Sequence, residues 1–234
     1  MRNVVMTSDK HLWLIPGFLH QWNKYCGAPI TVVGFSPPAV DCDFVSLGRF
    51  EDYPVEKWSD ALLKMLDVLG EEHVMIMLED YWLIRKTDWS EVMSCYEWMK
   101  RFYPGALRFC LTSDRLYSKT VWDVDFISNT DIIEAGHDGY QISFQASIYN
   151  SEVLKRVLIP NETPWQVEIN GTGRLGEIQP NLRVFGTRQW LIRYQVMVRY
   201  GVFTKKGDWM FPARQLSRAD FDELKSLGHI PEGE

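Results

Sequence analysis

The stretch HVMIMLEDYWL, residues 73–83, decides how the rest of the chain is read. An apolar run from Val74 to Leu78 stops at two adjacent carboxylates, Glu79 and Asp80, and the aromatics Tyr81 and Trp82 follow. A short run rich in Val, Ile and Met behind a helical segment reads as a strand buried on both faces. Carboxylates at the carboxyl end of such a strand stand where open α/β sheets bind ligands. They are costly to bury without a metal, a cation or ligand hydroxyls beside them. The stretch therefore points to a fold and to a site.

Working outward toward the N-terminus, Lys57–Leu69 carries Trp58, Ala61, Leu62, Met65, Leu66 and Leu69 on one helical stripe, with Gly70 placed to end it. Earlier still, Asn3–Met6, Ile30–Phe35 and Phe44–Leu47 are short apolar strands, the second closed by Pro37-Pro38. Residues 11–25 have helical spacing, and Pro16 and Gly17 weaken that helix or confine it to its second half. Toward the C-terminus, Asp88 or Ser90 caps a helix to Arg101, and Leu107–Leu111 is a strand running into Thr112-Ser113-Asp114. This alternation of strand and helix predicts an α/β fold with a mostly parallel central sheet and helices on both faces.

The second half reads as mixed. Gln141–Ile148 alternates partly and is expected as a strand, with Asn150 capping a short helix that Pro160 ends. Trp165–Ile169 is expected as a turn or short helix and Asn170–Gly173 as a loop. Leu182–Phe185 and Ile192–Val198 are strand candidates, although Trp190–Tyr200 also fits a helix. Ser217-Arg-Ala-Asp220 resembles a capping box and opens a terminal helix closed by Gly228. No repeat or linker divides the chain, so residues 1–234 are expected as one domain, with one half to about residue 115 and the other from 116.

Composition narrows the function. The net charge of −6 is unlike a nonspecific DNA binder, while a 14% aromatic share suits stacking on bases or sugar rings. The four cysteines, Cys26, Cys42, Cys95 and Cys110, form no CxxC pair, which argues against structural zinc and toward a reducing, cytoplasmic compartment. Ser8, Asp9 and Lys10 interrupt the first apolar run, so no signal peptide is read, and no stretch is long and apolar enough to span a membrane.

The strand ending in Glu79-Asp80, preceded by a strand–helix half and followed by a mixed half, resembles the GT-A fold of nucleotide-sugar glycosyltransferases. The chain also resembles uncharacterised phage and metagenomic proteins carrying TSDK, WSD and LEDYW segments. The resemblance implies transfer of a sugar from a nucleotide-diphosphate sugar, most simply a UDP-sugar, to a hydroxyl on a glycan, a small molecule or a modified base in phage DNA. A host-cytoplasmic location would follow for a phage protein. It also implies Mn²⁺ or Mg²⁺ on an acidic Asp-x-Asp type motif. Here the acids are adjacent, and adjacent side chains on a strand face opposite ways. They should divide their roles: Asp80 holds the metal and Glu79 bonds ribose or sugar, unless the strand has already turned. The other reading of the pair is an ion pair or cap at a strand end.

The same resemblance assigns Thr7, Ser8, Asp9 and Lys10 to the nucleotide, with Asp9 on uracil or ribose and Lys10 on phosphate; the alternative is a helix cap by Ser8 or Asp9. Asp60 would reach the nucleotide or simply face the helix dipole. Trp165 and Glu168, three apart, would share a helical face, the Trp stacking on a sugar and the Glu acting as base, with Tyr81 beside the acceptor. The alternative there is a core Trp with a salt-bridged Glu. His137 is a candidate metal or phosphate ligand, or plain surface. Arg174, Arg183, Arg188, Arg193, Arg199, Lys205 and Lys206, interleaved with Trp190, Tyr194, Tyr200 and Trp209, would form a nucleic-acid face or solvated charge. Two further functions stay open: a noncatalytic nucleotide- or sugar-binding module, and a nucleotidyltransferase, although the glycine-rich loop of the latter is missing.

Overall fold

Residues His73–Leu78 form strand β4 at the centre of the sheet, and its alternation explains the apolar run. Met75 and Met77 enter one core cluster while Val74 and Ile76 enter another, so the strand is buried on both faces. The computed structural model describes residues 1–136, 139–178, 182–199, 202–203 and 215–231. Beside β4 lie β1 (Arg2–Met6), β2 (Thr31–Gly34) and β3 (Phe44–Ser46), all parallel to it. The two clusters are the two helical layers. Helices α1 (Ile15–Tyr25) and α3 (Trp89–Phe102) cover one face, and α2 (Trp58–Leu69), α4 (Ser151–Val157) and α5 (Pro164–Ile178) cover the other.

Past β4 the sheet becomes mixed. With β6 (Arg108–Cys110), β7 (Val121–Ile127), β8 (Thr130–Ala135), β9 (Ser147–Asn150) and β10 (Val184–Thr187), its nine strands run in the order β3-β2-β1-β4-β9-β6-β10-β8-β7. Strand β9 is antiparallel to both β4 and β6, and β8 to both β10 and β7. The carboxyl ends of β1, β2, β4 and β6 consequently meet at one edge. Local chemistry sets the helix ends. Gly70 takes φ +61° after α2, Asp88 accepts from the Ser90 and Glu91 amides, and Asn150 accepts from Val153. Ser217 caps the terminal helix α6 (Arg218–Ser226) by accepting from the Asp220 amide.

Three expectations are corrected. Helix α1 begins at Ile15, because Pro16 in the first turn has no helical hydrogen bond to lose. Residues 141–146 are not strand; only Ser147–Asn150 pairs. Their backbone groups go to side chains instead: Ile142 N donates to Thr172 Oγ1, Phe144 N to Glu168 Oε1, and Ser143 O accepts from Arg108. Asn170–Gly173 is not a loop but the middle of α5, where a Cβ on Gly171 would lie 2.7 Å from Ile142 Cδ1. Close packing there outweighs the weak helix propensity of glycine. Of the two readings of Ile192–Val198, the strand holds: Tyr194–Val196 (β11) pairs with Tyr81–Leu83 (β5), and Val198–Arg199 (β12) with Val202–Phe203 (β13). The hairpin of β7 and β8 has no counterpart in the sequence reading.

Gly17 is required for a different reason. Trp82 is fully buried, and a Cβ at Gly17 would sit 2.1 Å from its ring. Helix α1 thus lies directly on the residue that follows the acidic turn. Gly17→Ala is expected to destabilise by about 1–3 kcal/mol or more, because neither the helix nor the indole has room to move. Urea unfolding measures it, and an unchanged midpoint would refute the close contact.

Candidate functional site

At the carboxyl edge, the loop after β1 meets the loop after β2. Thr7 is buried beside Gly34, where a Cβ would stand 2.9 Å from the Thr7 methyl. Asp9 accepts from Ser36 N at 3.0 Å and Ser36 Oγ at 2.7 Å. Ser8 stands at the N-cap of a short 3-10 helix, Asp9–Leu14, without a side-chain capping bond, and Asp9 is the first residue of that helix. Lys10 is exposed.

Glu79 and Asp80 form a turn between β4 and β5, so the strand has turned before its acids and the opposite-face argument no longer separates them. Glu79 is 8% exposed, and its Oε1 lies 2.8 Å from His11 Nδ1. That hydrogen bond raises the His11 pKa against the opposing effect of burial, which favours the protonated, donating form of the ring. The turn backbone is held as well: Trp82 Nε1 donates to Glu79 O and Met197 N to Asp80 O. The Tyr81 ring stacks on Tyr194 with centroids 4.2 Å apart. Burial pushes the Tyr81 phenol well up, with further upward contributions from Tyr194, Asp80, Glu168 and Glu79. The acidic turn and Glu168 therefore lie within electrostatic reach of one phenol.

Glu168 enters from α5 and accepts from Phe144 N at 2.8 Å. Burial raises its pKa, Asp114 adds to the rise, and the Phe144 amide, Arg108 and Ser143 oppose it. Arg108, fully buried, donates to Ser143 O at 2.7 Å and to Asp114 Oδ2 at 3.0 Å. Trp165, one turn before Glu168, is 65% exposed and is not core. Thr112, Ser113, Gln145, Trp190, Ile192, Arg193 and Tyr194 line an adjoining shallow cleft.

Other expected residues stand apart. Asp60 accepts from Asn161 N at 2.7 Å, while Ser59 and Glu162 exchange backbone and hydroxyl bonds. Glu162 in turn grips Arg174 and Asn170 of α5, so the start of α2 braces the helix that carries Glu168. His137, Tyr200, Lys205, Lys206 and Trp209 lie outside the described residues. Arg174, Arg183 and Arg188 pair with Glu162, Glu134 and Asp123, so these three do not form an open basic face. Sequence reading missed His11 and Arg108, and it put Tyr194 on a nucleic-acid face rather than against Tyr81. A single histidine and a strand arginine give no pattern. Asp114 could have been found by the rule that singled out Glu79 and Asp80, an acid just beyond a strand.

Among the described residues no three His, Cys, Asp or Glu side chains converge as a metal-binding group. The Glu79–Asp80 pair still fits Mg²⁺, or Mn²⁺ with its similar preference for oxygen, because such ions are held by one or two carboxylates together with substrate phosphates and water. No described helix is long and apolar enough to cross a membrane.

No family model and no curated protein matches the chain. Among solved structures it is similar to S. aureus TarS 1–349 in complex with UDP, at 11% identity and a TM-score of 0.51, over 82% of this chain and 59% of that one. The chain thus spans about three fifths of the TarS chain it matches. It is also similar to A197 from STIV, at 12% identity and a TM-score of 0.44 over 85% and 87% of the two chains. A CMP:2-keto-3-deoxy-manno-octonic acid synthetase complexed with CTP matches at 14% and 0.46 over 97% of each. The likeness to TarS is one of fold: a large mixed sheet with a parallel core and helices on both faces.

The His11–Glu79 pair has a pH signature. A raised histidine pKa stabilises the fold fully below its ordinary value of 6.5, and that stabilisation is lost as pH rises through the raised value. His11→Gln keeps a donor and removes the charge. It should cost less than about 1 kcal/mol, since the pair is partly solvated. Urea unfolding at about pH 6 and about pH 9 checks this: the deficit appears at the lower pH and fades at the higher. A deficit that does not change with pH would contradict the ion pair.

Proposed function

We propose that this chain is a glycosyltransferase that moves a sugar from a nucleotide-diphosphate sugar to a hydroxyl acceptor. The observation that supports the reading is that Glu79, Asp80 and Glu168 all lie within electrostatic reach of Tyr81, just beyond the carboxyl end of β4. Thr7, Ser8 and Asp9 would bind the nucleoside, with Asp9 held in position by Ser36. Lys10 is exposed beside them and would meet phosphate. His11 fixes Glu79, which would accept from a ribose or sugar hydroxyl. Asp80 would hold Mg²⁺ or Mn²⁺, and His137 is a further candidate ligand; the cation would offset charge on the departing nucleoside diphosphate.

Glu168 is the proposed base. Its raised pKa makes it a stronger proton acceptor than an ordinary carboxylate once it is ionised. Trp165, exposed one turn away, would stack on a sugar face. Asp60 is proposed to act through the α5 loop rather than on the nucleotide. UDP is the first nucleotide to test, because the similar TarS structure is a UDP complex. A hydroxymethylated base in phage DNA is the acceptor that the sequence resemblance adds. A second reading, a noncatalytic nucleotide- or sugar-binding module, is favoured by one observation: the acids are adjacent and no third ligand joins them among the described residues.

Thermal unfolding with UDP and UDP-sugars, with and without Mn²⁺, tests the donor site. Stabilisation that requires both Mn²⁺ and Asp80, and that is lost in Asp80→Asn, is expected; no stabilisation by any nucleotide would sink the proposal. Turnover, read as UDP release with a hydroxyl acceptor, separates enzyme from module. Glu168→Gln should keep UDP binding and lose about 10²–10⁴-fold in turnover. Wild-type turnover should rise with pH through the raised Glu168 pKa, since the base must be ionised, and the rise should vanish in the variant.

A further inference from the structure

The cleft beyond β6 has a chemistry that the donor site does not use. Its walls connect the two halves of the proposed active site. Gln145 follows Phe144, whose amide is held by Glu168, and Tyr194 stacks on Tyr81 next to Asp80. The wall is anchored at the backbone, with Ile192 N bonded to Leu111 O and Ile84 N to Arg193 O. A ligand in the cleft would therefore reach both the acidic turn and Glu168.

Arg193 is the cation in that wall. Its side chain is exposed, and its guanidinium lies 5.6 Å from the centre of the Trp190 ring. Among the described residues no carboxylate lies within ion-pair distance of it, whereas Arg174, Arg183 and Arg188 are each neutralised by an acid of this chain. An arginine steadied on an indole, with its fork unengaged by carboxylate, suits a phosphate. Gln145 Oε1 accepts from Tyr194 OH, which leaves the Gln145 amide N–H groups for hydroxyls on the same ligand. A nucleic-acid strand needs several phosphate contacts, and the net charge of −6 opposes it.

We propose that this cleft is the acceptor subsite, and that it takes a small phosphorylated molecule bearing free hydroxyls, with Arg193 on the phosphate and the Trp190 ring supporting it. The proposal rests on the glycosyltransferase reading and narrows its acceptor. It places the phosphate away from Glu168, so that a hydroxyl rather than the anion faces the base.

Titration with glycerol 3-phosphate and ribose 5-phosphate, against glycerol and ribose as uncharged controls, tests it. The phosphates should bind wild-type protein and the controls should not. Arg193→Gln should weaken that binding by roughly tenfold or more, while Arg193→Lys keeps part of it. Stabilisation by UDP should be unchanged in both variants, which also shows that they are folded. Equal binding of phosphates and controls would overturn the subsite, as would loss of the UDP effect in Arg193→Gln, which would assign Arg193 to the donor. Tighter, steeply salt-dependent binding of a hydroxymethylcytosine oligonucleotide would overturn the small-acceptor claim. If UDP fails to stabilise even the wild type while ribose 5-phosphate binds through Arg193, the anion subsite stands and the glycosyltransferase reading falls.

Discussion

A carboxylate that leaves water must find a counter-charge or hydrogen bonds, and the carboxyl edge of this sheet is organised around that requirement. Glu79 sits, buried, just past the end of the central strand β4. His11 supplies the counter-charge from the loop after β1. The contact joins the ends of two adjacent parallel strands, which are the two ends a bound nucleotide would bridge. Trp82, wedged against Gly17, then locks α1 to the same turn. Packing and electrostatics thus fix the acidic turn from opposite sides.

A second exchange positions Glu168. The segment before β9 gives up ladder pairing and takes its hydrogen bonds from α5 and β6 instead. The Glu168 carboxylate is consequently part of the structure that holds the segment as well as a candidate base. Its partner amide restrains the rise in pKa that burial causes, and the net rise leaves a carboxylate that is stronger than usual as a base. Ser59, Asp60 and Glu162 extend the same support backward, tying the start of α2 to α5.

Much of this was legible in the residues wherever the determinant is local. The period-2 burial of β4, the stripe of α2 and the caps at Gly70, Asn150 and Ser217 each depend on neighbours a few positions away. The misread segments depend on distant ones. Residues 142 and 144 are satisfied by groups 30 and 24 positions along, and Gly171 is helical because Ile142 packs onto it. The hairpin of β7 and β8 was missed because β7 is an edge strand that leaves Trp122 and Phe126 exposed, which weakens its apolar alternation. At the site, paired acids at a strand end announce themselves. His11 does not, because its meaning comes from a partner 68 residues away.

The central claim is that a nucleotide occupies the carboxyl edge between β1 and β4. A crystal structure of the protein with UDP and Mn²⁺ tests it most directly. The account predicts the uracil or ribose against Asp9, the diphosphate over the Glu79–Asp80 turn, and the cation on Asp80. Nucleotide density elsewhere on the molecule, with that edge holding only water, would contradict it.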